Sequence, residues 1–135
     1  MAPQDIAEFL TSSWVLAAGE GVKMPTGSGV LDRAVKATVE NGTMPAGLQD
    51  SFRFVETPSG LASPELRDAL TWALASDLTS DPNPRYIFTV VRFRELIARH
   101  FLSNLDIDEE EARNWGLALI EALEQEKNFI LEQQD

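Results

Sequence analysis

The stretch RYIFTVVRFRELIARHFLSN, residues 85–104, is the most apolar in the chain, and how it is read decides the fold. Apolar side chains cover much more than one helical stripe: Tyr86, Ile87, Phe88, Val90, Val91, Phe93, Leu96, Ile97, Ala98, Phe101 and Leu102. A helix apolar nearly all round belongs at the centre of a fold, so one long central helix over 85–104 is the favoured reading. The β-branched pair Val90-Val91 leaves a buried strand at 86–93 as the second reading. The helical reading makes the protein mostly α, a compact bundle of five to six helices.

Downstream, a helix from Asp106 or Asp108 to Glu132 is expected. Asp106 and Glu109 have capping-box spacing, and Ala112, Trp115, Leu119, Ala122, Leu123 and Ile130 mark its inner face. At roughly 25 residues it would be nearly 40 Å long. Its C-terminal half, with Phe129, Ile130 and Leu131, is expected to overhang and to seek another surface, which predicts a homo-oligomer.

Upstream, Asp81-Pro82-Asn83-Pro84 is a break. Before it, Ser63-Pro64 starts a helix with the stripe Leu66, Leu70, Ala73, Leu74 and Leu78. Thr57-Pro58-Ser59-Gly60 reads as a turn. Residues 45–56 fit a short helix through Leu48, Phe52 and Val55, or a short strand over Phe52–Val55; periodicity favours the helix, and a strand would need an edge from another subunit because no second strand pattern is evident. Ser28 is the expected N-cap of a helix that carries Leu31, Ala34, Val35, Thr38 and Val39 inward and stops at Asn41-Gly42. The first helix spans Pro3 to Ala18 with one stripe of Ile6, Phe9, Leu10, Trp14 and Ala17. No repeat or linker divides the chain, so 1–135 reads as a single helical domain.

Composition excludes several chemistries. There is no cysteine, hence no disulfide, thiolate nucleophile or Cys-based metal centre. His100 is the only histidine and reads as structural or partly exposed. No run nears the ~20 apolar residues of a membrane span, and Trp14–Ala18 is too short for a signal-peptide core, so a cytoplasmic protein without membrane contact is expected. The formal net charge is −11, which argues against direct binding to nucleic acid and favours a basic partner.

That charge is segregated. Residues 1–81 carry a net −6, residues 82–105 a net +3, and residues 106–135 a net −8. Arg85, Arg92 and Arg99 are seven apart and would share one face of a helix, with Glu95 between them. They read as a surface ion-pair ladder, as a row that docks an anionic partner, or as an internal match to the acidic last helix. Asp106, Asp108, Glu109, Glu110 and Glu111 read as a well-capped helix start, or as spaced carboxylates that mimic a nucleic-acid backbone. A calcium loop is rejected, because Glu111 and Leu117 stand where Gly and a bidentate Glu are needed.

Two other patterns are weaker. Gly27-Ser28-Gly29 lacks the Gly-Lys-Ser/Thr of a phosphate-binding loop. Glu65 with Asp68, and Glu121 with Glu124, could hold magnesium if the two couples faced each other in a bundle, as in all-α nucleotide pyrophosphatases, though the couples come in the reverse order and no lysine supports them. The expected function is therefore a non-catalytic protein–protein interaction module, with no cofactor or metal. Its expected partner-binding residues are Arg85, Arg92, Arg99, Asp108, Glu109, Glu110, Glu111, Phe129 and Ile130. The alternatives are an acidic inhibitor of a nucleic-acid-binding protein and a magnesium-dependent hydrolase.

Overall fold

The computed structural model describes residues 1–27, 29–80 and 88–134, with only the course of the helix for residues 127–134. The described residues are mostly helical. The elements in chain order are α1 (Pro3–Ala18), β1 (Lys23–Pro25), α2 (Val30–Glu40), a 3-10 helix (Ala46–Ser51), β2 (Val55–Thr57), β3 (Gly60–Ala62), α3 (Pro64–Ala75), β4 (Phe88–Val90), α4 (Glu95–Asn104) and α5 (Glu109–Gln134).

Helix α1 occupies the centre. It packs against α3, α4 and α5, while α2 packs on α5. All ten residues from Ile6 to Val15 are buried, so the helix is covered on every side rather than along the single stripe expected. The polar residues in this run are handled in different ways. Thr11 Oγ1 donates to the Ala7 carbonyl at 2.7 Å, whereas the Ser12 and Ser13 hydroxyls have no partner among the described residues. Small side chains here serve close approach. A Cβ placed on Gly116 of α5 would lie 2.6 Å from both the Ser13 carbonyl oxygen and the Ala17 Cβ. The two helices thus cross almost backbone to backbone. Beside the crossing, Phe9 and Trp115 rings meet at 4.7 Å, and the indole N–H of Trp115 donates to Thr38 Oγ1 at 2.9 Å, tying α2 into the same core.

The long central helix expected over 85–104 does not form. Residues 88–90 are a strand, and α4 begins only at Glu95. Residues 81–87, including Arg85, lie outside the described residues. β4 pairs antiparallel with β1, Met24 opposite Thr89. On its other edge the chain pairs back with residues 78–80: Ser80 N–H donates to the Val90 carbonyl and Arg92 N–H to the Leu78 carbonyl, each at 2.8 Å, with Thr79 opposite Val91. Three short extended segments therefore form one small sheet. The β-branched Thr89-Val90-Val91 suits a pleated surface better than a helix, and the sheet satisfies its backbone groups. Pro25 is tolerated because β1 is an edge strand.

Two further expectations change. Residues 46–51 are helical, but the segment then extends, and β2 pairs with β3 as a hairpin closed by Thr57 Oγ1 donating to the Gly60 carbonyl at 2.6 Å. The strand therefore finds its partner within the same chain. Gly29 rather than Ser28 stands at the N-cap of α2, in the left-handed conformation (φ 73°) that suits glycine; Ser28 lies outside the described residues.

The start of α3 is as the sequence indicates. Ser63 Oγ accepts from the Leu66 N–H at 3.3 Å, with Pro64 in the first helical position. The Ser63 N–H in turn donates to Asp32 Oδ1 at 3.1 Å, which anchors α3 to α2.

Candidate functional site

The α4–α5 corner gathers the largest share of the charged residues singled out in the sequence. Helix α4 ends at Asn104. Asp106 then takes a left-handed conformation (φ 57°), and Asp108 caps α5, its Oδ2 accepting from the Glu111 N–H at 3.2 Å. The cap thus falls at Asp108 rather than at Asp106. Asp106 has been drawn into the turn instead, where Asp is one of the few side chains that tolerates a positive φ. Glu109, Glu110 and Glu111 occupy the first turn of α5, where the positive end of the helix dipole favours anions.

The two helices are laced by a line of alternating charges. Arg99 Nη2 meets Glu95 Oε1 at 2.6 Å, and its Nε lies 3.5 Å from Glu109 Oε2. Arg113 Nη2 lies 3.8 Å from the same Glu95 oxygen. Arg99 thus makes both the exposed i,i+4 pair with Glu95 that a surface ladder implies and a longer contact with Glu109 of the acidic helix. At the other end of α4, the first backbone N–H, that of Glu95, is met by Glu20 Oε1 at 3.0 Å.

An open depression of about 910 Å³ lies over this corner. Asp106, Asp108, Glu109, Glu110 and Glu111 line it together with Arg99 and Arg113. Both arginines already serve Glu95 or Glu109. Asp106, Asp108, Glu110 and Glu111 make no ion pair among the described residues, so the depression keeps a surplus of negative charge. Leu96 is 75% exposed and stands on the same face of α4 as Arg99 and Ser103, three and seven residues on, both of which line the depression.

The arginine row is not formed. Arg92 sits in the extended stretch before α4, exposed and hydrogen-bonded through its backbone to Leu78, so it cannot share a helix face with Arg99. The positions of Arg85 and of the Phe129 and Ile130 side chains lie outside the described residues. His100 is exposed, 3.3 Å from the Asn104 side-chain amide.

The two carboxylate couples have different surroundings. Glu65 is held by Arg53, whose backbone N–H donates to Oε1 at 2.6 Å and whose Nε donates to Oε2 at 2.9 Å. Desolvation raises the Glu65 pKa, but these bonds, one from its own backbone N–H and the attraction of the guanidinium outweigh it and hold the carboxyl below its ordinary value. Helix α1 packs against both α3 and α5, which carry the couples, and no cluster of three or more metal-binding side chains occurs among the described residues. Nor, among them, is any helix long and apolar enough to cross a membrane.

A second feature escaped the sequence reading: a slot of about 260 Å³ between one face of α3 and the buried face of the small sheet. Its α3 wall follows helical spacing, Arg67, Leu70, Thr71 and Leu74, but its other wall comes from Thr26, Thr79 and Thr89 on separate segments. No protein-family model, curated protein or solved structure matches this chain.

Proposed function

We propose that the chain is a non-catalytic protein-interaction module that receives a basic segment of a partner protein at the α4–α5 corner. The observation that carries this reading is the convergence of five carboxylates on one open depression whose two arginines are already engaged. Leu96 beside it offers an apolar anchor, so a lysine- or arginine-bearing segment with an apolar residue is the complementary chemistry. A partner that uses the same basic segment on nucleic acid would be blocked by occupancy, which is how the protein would act as an acidic antagonist. The reading also includes self-association through the last turns of α5, where Phe129 and Ile130 fall.

The test is affinity capture of partners, followed by binding assays with Asp108→Asn, Glu110→Gln and Glu111→Gln combined. Asn keeps the cap at position 108, so the fold should survive, as circular dichroism would check. Capture of a basic partner should weaken at least about tenfold in the variant and fall with added salt. Equal capture by the variant and the parent would sink the proposal.

A further inference from the structure

We infer that the slot between α3 and the small sheet binds a small aliphatic carboxylate that also carries an amino or hydroxyl group. The geometry begins with the register of the sheet. Thr79 stands opposite Val91 and Met24 opposite Thr89, so all four side chains project from one face. That face is buried: Thr79 is 3% and Thr89 5% exposed. Thr79 and Thr89 line the slot, and Leu70 and Leu74 of α3 form the apolar part of the opposite wall.

The hydroxyls are unevenly used. Thr89 Oγ1 donates to the Ser80 carbonyl at 2.6 Å, and Thr71 Oγ1 to the Arg67 carbonyl at 2.9 Å. Their protons are committed while their lone pairs are open, so each can accept from a ligand donor. Thr79 Oγ1 has no hydrogen-bond partner among the described residues, and with almost no accessible surface it is sealed beneath the slot. Arg67, exposed at the slot, makes no ion pair among the described residues. A ligand fitting these walls brings an anion for the Arg67 guanidinium, a donor for the Thr71 and Thr89 oxygens and a short aliphatic body for Leu70 and Leu74. A plain hydrocarbon leaves the hydroxyls unmet, and a bare inorganic anion leaves the leucines uncovered.

Amide chemical-shift titration of the whole chain tests this with four probes of similar shape: L-valine, 2-hydroxyisovalerate, isovalerate (no donor) and isobutylamine (no carboxylate). At least one of the first two should give saturable shifts at Leu70, Leu74, Thr79 and Thr89. Isovalerate and isobutylamine should bind at least about tenfold more weakly. Arg67→Ala should weaken that ligand by about tenfold or more. Thr71→Val, which removes one acceptor of the slot, should narrow the advantage of that ligand over isovalerate at least about threefold. The inference is overturned by the absence of saturable shifts up to roughly 10 mM, where binding free energy is below about 3 kcal/mol. Shifts that Arg67→Ala and Thr71→Val leave unchanged, or equal affinity for isovalerate, overturn it as well.

Discussion

Gly116 is the residue on which the helix crossing depends. In the interior of an exposed helix, Gly→Ala ordinarily stabilises by about 1 kcal/mol. Here the new methyl would meet the Ser13 carbonyl oxygen and Ala17 Cβ at 2.6 Å each. Neither atom can swing aside, since one is backbone and the other is fixed to it. Overpacking of this kind costs about 1–3 kcal/mol, which outweighs the propensity gain. Gly116→Ala is therefore expected to lower the urea midpoint, with Ala17→Gly in the same chain restoring part of the loss because it removes one of the two contacts. A midpoint that rises in Gly116→Ala would show that α1 and α5 separate freely. Nothing in the local pattern marks this glycine, because its constraint comes from a helix a hundred positions earlier.

Between elements, the contact of Arg53 with Glu65 fastens the extended segment before β2 to the first turn of α3. The Glu65 carboxyl has a lower pKa folded than unfolded. Its contribution is therefore present above the unfolded carboxylate range and is lost as pH falls through the depressed value. Arg53 is 73% exposed, so the contribution is that of a solvent-screened pair, about 0.5–1 kcal/mol. Glu65→Gln should be less stable than the parent by that amount at pH 7, and the two unfolding curves should converge in acid; a gap constant with pH would contradict the assignment. The legibility of elements follows the same division between local and distant causes. Pro3, Ser63-Pro64 and Asn41-Gly42 act on their own neighbours, and the helix ends they mark are where the sequence puts them. The strands failed because three residues are too few for a period of two to register, and because the partners of β4 are Lys23-Met24-Pro25 and Thr79, segments with no strand pattern of their own. The acidic corner was legible because its carboxylates are contiguous in the chain, whereas the slot draws on four separate segments.

At the scale of the whole molecule, the net charge of −11 sets two kinds of association against each other. Two copies repel, so self-association through the end of α5 should tighten as salt screens them, while capture of a basic partner should loosen. Sedimentation is expected to show a dimer that strengthens with sodium chloride and reverts to monomer when residues 129–135 are removed; a monomer throughout, unaffected by truncation, would eliminate self-association. The central place of α1 also bears on synthesis. Phe9, Leu10 and Trp14 are made some ninety to a hundred codons before the α4 and α5 residues in the same core cluster, Ala98, Leu102, Trp115 and Leu119 among them. At about 5–20 residues per second, this apolar helix waits on the order of 5–20 s outside or within the ribosome tunnel before the α4 and α5 part of its cover exists. The nascent chain is then a natural client for holding chaperones, and ribosome stalling before residue 98 would release a fragment whose most hydrophobic helix lacks its α4 and α5 cover.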